Sequence, residues 1–310
     1  MRRIKNDAPL PADWEGYWTD YDLLKGRSLS PRTIENYRDT FVLLGRFLGP
    51  QVPPLADLSR RQLAAFLDHC LATTSASTVG MRFRGLSAVL SWLAKPGDDD
   101  EPFLEHNPLK GLRPPKDEEQ PVAVLSQDDV RRVLAVCRGP EFDSRRDEAL
   151  IRFMHDTGCR RGEVASMQTT PEWLNLREGT AMVTGKTGPR IIAFGPTAGA
   201  AIYRYVRLRQ RRATRAETAL WIGRKGKLTG NGIYQLIGRR FDEAGLTVSK
   251  KAHVFRHTFS HEWQSVGGSE GDLMQLNGWK STAMAHRYGR SAAAARAREA
   301  HRRLSPGERL

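Results

Sequence analysis

"PGDDDEPFLEHNPLKGLRPPKDEEQP", residues 96–121, interrupts every periodic pattern in the chain. Proline removes backbone donors, glycine loosens the chain, and the clustered carboxylates repel one another, so neither a helix nor a strand of useful length is expected here. The stretch reads as a linker running on to Val124. A chain cut in this way must fold as two bodies, and 310 residues are enough for two domains that each bury a core.

On the N-terminal side the pattern is helical. Ser30 before Pro31 is a helix start, and Ile34, Tyr37, Phe41, Leu44 and Leu48 recur at helical spacing until Gly49 and Pro50. Ser59 can cap a second helix with Leu63, Phe66, Leu67 and Cys70 on one face. A third is predicted from about Ser77 to Ala94, with Val79, Phe83, Leu86, Leu90 and Leu93 inward and Arg82 and Arg84 turned to solvent or phosphate. These helices place an all-helical domain over residues 11–115. No further fold is expected from the few residues that precede it in this sequence.

On the C-terminal side, past the end of the linker at 116–124, Ser126 with Asp129 resembles a capping box. Helical patterns continue through Met154 and again from Arg161 to Met167. Two β-rich runs, "TAMVT" and "RIIAF", are joined by the turn "GKTGP", and helical patterns return over 197–211, 230–244 and 253–264. The expected fold is therefore mainly α with a small β-sheet confined to a mixed α/β domain at 125–310.

With 39% hydrophobic and 27% charged residues the chain has a globular composition. It has no apolar run of membrane-spanning length, and its start lacks the apolar core of a secretory signal, so a cytoplasmic protein is expected. Cys70, Cys137 and Cys159 show neither a disulfide framework nor metal-ligand spacing. The net charge of +14 points to a polyanionic partner. Lys and Arg number 15 against 14 Asp and Glu in residues 1–115, and 34 against 21 in the remainder. The excess, and with it most phosphate contacts, belongs to the second domain.

Five stretches of that domain carry chemistry. "DTGCRRGEV" sets Arg160 and Arg161 just past a glycine between two helical patterns; "GKTGPR" puts Lys186 at a hairpin tip, with Arg190 following; "HVFRH" spaces His253 and Arg256 on one helical face; "LNGWKS" holds Trp279; and "MAHRYGR" holds Tyr288 nine residues later. Singly, each has an ordinary reading: solvated arginines, a solubilising lysine, a core tryptophan, a tyrosine closing a helix. In this order and spacing they resemble the active site of the tyrosine recombinases, the phage integrase family. "TGCRRGE" is similar to the family's Thr-Gly-x-Arg-x-x-Glu box, "HVFRHTF" to its His-x-x-Arg-His box, and "SPRTIENY" and "NPLKGLRPPK" to the ends of its helical core-binding domain.

The resemblance implies a metal-free and cofactor-free reaction in which the Tyr288 phenol attacks a DNA phosphodiester, giving a 3′-phosphotyrosine and a free 5′-hydroxyl. Arg160 and Arg256 would clamp the phosphate, Lys186 would protonate the leaving oxygen, and His253 would handle the tyrosine proton. Trp279 would donate to a phosphate oxygen, with Glu163 and His257 supporting the site from behind. Arg82, Arg84, Arg161 and Arg190 are the expected further DNA contacts. The family's partners are also implied: duplex recombination sites clamped between the two domains, four protomers exchanging strands through a Holliday junction, an accessory protein setting direction, and residence on the nucleoid. Two other readings use similar residues. A type IB topoisomerase would relax supercoils, and a non-catalytic regulator would only bind. His253, His257 and His261, four residues apart along a helix, offer a metal site, but the His-Glu-x-x-His pattern of zinc hydrolases is missing.

Overall fold

The computed structural model describes residues 9–95, 102–116, 123–185, 188–248 and 252–309, without the side chains of 286–292, 294–296, 299 and 309. The chain divides into two compact units, residues 1–119 and 120–310.

Four helices build the first unit: α1 (Ala12–Lys25), α2 (Pro31–Leu48), α3 (Arg60–Thr73) and α4 (Ala76–Leu93). Their starts follow from the sequence. Ser30 Oγ accepts the Thr33 N–H at 3.1 Å, Ser59 and Gln62 close a full capping box on α3, and Ser75 caps α4. Helix α1 was not expected. It follows Pro11 with no side-chain cap and is held instead by its aromatic face: Trp14, Trp18 and Tyr21 are buried one turn apart. The Trp14 indole donates to the Pro53 carbonyl at 3.1 Å, and the Asp13 carboxylate accepts the Leu55 N–H at 3.0 Å. The Trp14 ring meets Phe41 edge-on, and Leu44, Leu63, Phe66, Leu86 and Leu90 complete the core.

Two expectations fail here. The stretch read as linker contributes to this core, for Leu104 and Leu109 are buried, Leu104 N–H donates to the Leu93 carbonyl at 3.0 Å, and Asn107 Nδ2 donates to Ser91 Oγ at 2.8 Å. Each buried leucine gains about 1.5–3 kcal/mol, enough to pin a chain that forms no regular element. Arg82 is also turned inward: it is 7% exposed, with Nη1 at 2.8 Å from Cys70 Sγ. Helix α4 packs against both α2 and α3, so its buried face is wide enough to include position 82 between Val79 and Leu86. Arg84 is exposed.

The second unit runs α5 (Gln127–Ala135), α6 (Phe142–Thr157), α7 (Arg161–Ser166), β1 (Leu174–Asn175), β2 (Thr180–Gly185), β3 (Gly188–Ala193), α8 (Pro196–Gln210), β4 (Ile222–Gly223), β5 (Gly226–Lys227), α9 (Gly230–Glu243), α10 (Val254–Ser265), α11 (Glu270–Asn277) and α12 (Thr282–Leu304). Strands β1, β2 and β3 form an antiparallel sheet in that order, with Val183 opposite Arg190, and β4 pairs with β5. The fold is mainly α with a small sheet in the second unit. Its core gathers Leu150, Phe153, Met154, Ile202, Tyr205, Trp221, Ile237, Phe241 and Phe255. Tyr205 stacks on Trp221 at 5.4 Å, and its hydroxyl donates to the Leu220 carbonyl while accepting the Ile222 N–H. Strand β1, the β4–β5 pair and α11 carry too few apolar residues to show a period.

Candidate active site

Helix α6 ends at Gly158, whose left-handed φ of 59° turns the chain out of the helix. A Cβ there would meet the Phe259 ring at 2.7 Å, so both conformation and space require glycine. Two residues on, Arg160 stands at the N-cap of α7. Its backbone N–H donates to Glu163 Oε2 at 2.8 Å, and its Nη1 donates to Glu163 Oε1 at 2.8 Å and to the Asn277 carbonyl at 3.4 Å.

Glu163 is 1% exposed. Arg190, on β3, grips the same carboxylate as a fork, Nη1 to Oε1 at 2.8 Å and Nη2 to Oε2 at 2.9 Å, while its Nε donates to the Leu276 carbonyl at 3.0 Å. Burial pushes the Glu163 carboxyl up, but the bonds and charges of Arg190 and Arg160 outweigh it and hold the group down at about 2. Burial likewise works against the Arg190 charge, and Glu163 more than offsets it, raising that guanidinium above its usual value.

Arg256, in the first turn of α10, is 1% exposed. It donates Nη1 to the Gly158 carbonyl at 2.9 Å and Nη2 to the Asn277 carbonyl at 2.7 Å. Its guanidinium carbon lies 4.9 Å from the centre of the Trp279 ring. Apart from Gly158, the backbone acceptors come from one helix end. Helix α11 ends at Gly278 in the left-handed conformation, φ 60°, which leaves the carbonyls of its last turn without helical partners. Leu276 then serves Arg190, and Asn277 serves Arg160 and Arg256 together. Cations at a helix C-terminus also match the helix dipole.

The structure thus brings together Arg160, Glu163, Arg190, Arg256 and Trp279. Arg190, expected on the DNA-facing surface, has a donor to each of three acceptors and is half-buried. His253 is exposed at the start of α10 and its carbonyl accepts the His257 N–H; His257 is buried. Arg161 is exposed with its guanidinium 5.4 Å from the Tyr234 ring centre. Lys186 lies outside the described residues. The backbone of Tyr288 is in α12, one turn past buried Ala285, and its side chain falls among those left undescribed. Among the described residues no three His, Cys, Asp or Glu side chains cluster as metal ligands. Leu276 and Asn277 were not expected: they act through backbone carbonyls, and no residue type announces that.

Chemically, two arginines share one carbonyl, one nearly buried over an indole and one partly open, which concentrates fixed positive charge of the kind that suits an anionic group. Residues 123–295 match the Phage integrase family, and residues 18–96 match the Phage integrase, N-terminal SAM-like domain. Tyrosine recombinase XerC of Pseudomonas syringae pv. syringae is 27% identical over 243 residues, covering 76% of this chain and 77% of the relative. The protein of the same name from Pseudomonas entomophila is 31% identical over 161 residues, covering 52% and 53%. Among solved structures, the Tn1549 transposon integrase in complex with transposon right end DNA shares the fold at a TM-score of 0.75 and 16% identity, covering 94% of this chain and 98% of that one. A lambda integrase tetramer bound to a Holliday junction gives 0.69 at 17% identity, covering 89% and 76%. The chain belongs to the phage integrase family and is a site-specific recombinase of the tyrosine type.

Proposed function

We propose that Tyr288 is the nucleophile and that Arg160 and Arg256 hold the phosphate it attacks. The phenol oxygen bonds to phosphorus as the bond to the 5′-oxygen breaks, so a 3′-phosphotyrosine replaces the phosphodiester. The phenolic proton passes to His253 and the leaving 5′-oxygen takes a proton from Lys186. A second 5′-hydroxyl reverses the step and joins new strands without ATP. The observation that carries this reading is the shared Asn277 carbonyl, which sets Arg160 and Arg256 side by side. Among the described residues the side-chain bonds of Arg160 run through Nη1, so its Nε and Nη2 can serve a phosphate. A fixed donor of this kind supports roughly a hundred- to thousandfold in rate.

The partner in this reading is duplex DNA, bound by the helical unit of residues 11–115 and the catalytic unit of residues 125–310. Four copies act on two sites, with an accessory protein setting direction and the nucleoid as the place of action. The charge of +14 supports the polyanion, and the described residues contain no helix long and apolar enough to cross a membrane. Two differently labelled duplexes taken from the DNA flanking the protein's own gene test it. Hybrid duplexes carrying both labels, with a four-way intermediate, are expected. Relaxation of supercoiled plasmid without any hybrid would overturn recombination in favour of topoisomerase action.

A further inference from the structure

We infer that Arg190 is a positioning residue, which divides the charge of Glu163 so that Arg160 stays available to the phosphate and is tied to the β2–β3 hairpin. The inference rests on the proposed role of Arg160. Four donors fill the two oxygens of Glu163: Oε1 takes Arg160 Nη1 and Arg190 Nη1, and Oε2 takes the Arg160 backbone N–H and Arg190 Nη2. A carboxylate has about four lone-pair positions, so the set is complete. With Arg190 gone, a buried anion with two open positions would face one guanidinium. The favoured geometry for that pair is two parallel bonds. Arg160 would then turn a second nitrogen inward, away from the face where a phosphate must sit.

A second feature ties the same carboxylate to the hairpin. Gly185 closes β2, and a Cβ there would meet Glu163 Cγ and Oε1 at 2.8 Å, so the carboxylate lies against bare backbone. Ser166 Oγ, in α7, donates to the Thr184 carbonyl at 3.2 Å. On the facing strand Arg190 reaches Glu163 and also the Leu276 carbonyl. Helix α7, the hairpin and the end of α11 are therefore joined through one side chain, beside the Asn277 carbonyl that holds Arg160 and Arg256. A shift of the hairpin moves Arg160 with it. Arg190 touches no reacting atom in this account.

The test is single-turnover cleavage at saturating DNA, with DNA affinity measured in parallel, on wild type, Arg190→Met, Glu163→Gln and the double variant. Arg190→Met should cleave at least about tenfold more slowly while its Kd for DNA stays within about threefold, since misplaced groups cost rate rather than uniform binding. On the Glu163→Gln background there is no anion to divide, so adding Arg190→Met should change the rate by less than about threefold. Arg190→Lys, which keeps the charge without the fork, should fall between wild type and Arg190→Met and guards against a misfolded methionine variant. Three results overturn the inference: wild-type cleavage by Arg190→Met, a loss of rate matched by loss of affinity, or an undiminished effect on the Glu163→Gln background. Wild type and Tyr288→Phe run beside these variants. If wild type forms no covalent adduct the recombinase chemistry fails, whereas an adduct with an unaffected Arg190→Met removes only this inference.

Discussion

Glu163 is a buried anion whose neighbours decide its worth. Its folded pKa of about 2 lies below the ordinary 4.5, so its stabilising effect is complete above pH 4.5 and fades as the pH falls towards 2. Between pH 5 and pH 3 wild type should therefore lose about 2 kcal/mol more stability than Glu163→Gln, read by urea melts at both pH values. An equal loss in both proteins would show that Glu163 is not held low. Arg256 makes a sharper case, because Gly158 and Asn277 both depend on its planar fork. Arg256→Lys keeps the charge but reaches one carbonyl at a time, and should lower single-turnover cleavage about a hundredfold or more. At this scale four of the side chains singled out in the sequence, Arg160, Glu163, Arg256 and Trp279, stand together in the structure. The sequence was unreadable where the backbone acts, as at Leu276 and Asn277. It misled at Arg82 and Arg190, since an arginine in a string of letters shows its charge and not the anion or thiol it faces.

Helix ends set the site, and two glycines contrast a position constrained in both conformation and space with one constrained in neither. Gly158 ends α6 at φ 59° with Phe259 against it, whereas at Gly162 within α7 a Cβ would have nothing within 4 Å and the backbone has no positive φ. Gly158→Ala should lower stability by about 1–3 kcal/mol and slow cleavage as well, because the carbonyl that holds Arg256 must move. Gly162→Ala should raise stability by about 0.5–1 kcal/mol, the usual gain inside a helix. Thermal melts of the pair check both signs; a Gly158→Ala protein as stable as wild type would remove the argument. The same end signals made α2, α3 and α5 legible, since Ser30, Ser59 and Ser126 cap where expected. Helix α1 lacks a side-chain cap, and its buried Trp14, Trp18 and Tyr21, with the Asp13 carboxylate on the Leu55 N–H, hold it instead. Leu104 and Leu109 were lost among prolines and acids, whose local preference for extended chain is overridden by burial.

Over the whole molecule, charge and the C-terminal helix set the remaining expectations. If the basic excess of the second unit meets six to ten phosphates, DNA affinity should fall about 10³- to 10⁵-fold between 50 and 200 mM salt. A flat salt dependence would separate the net charge of +14 from DNA binding. Helix α12 runs to Leu304, well past Tyr288, and removing the residues after Ser291 should leave single-site binding intact while impairing ordered assembly on two sites. A truncated protein that recombines at the full rate would contradict that. The proline-rich, acidic stretch was read as a linker with the first domain ending at 115, and within it Leu104 and Leu109 are buried in the core of the first unit. The most direct measurement is denaturant-resistant capture of DNA that carries a nick beside the cleavage point, so that the short 5′-hydroxyl strand diffuses away. Wild type should retain one DNA strand by its 3′ end, with the label mapping to the peptide containing Tyr288, and Tyr288→Phe should retain none. Absence of the adduct in wild type on DNA that it binds specifically, or its persistence in Tyr288→Phe, would contradict the account.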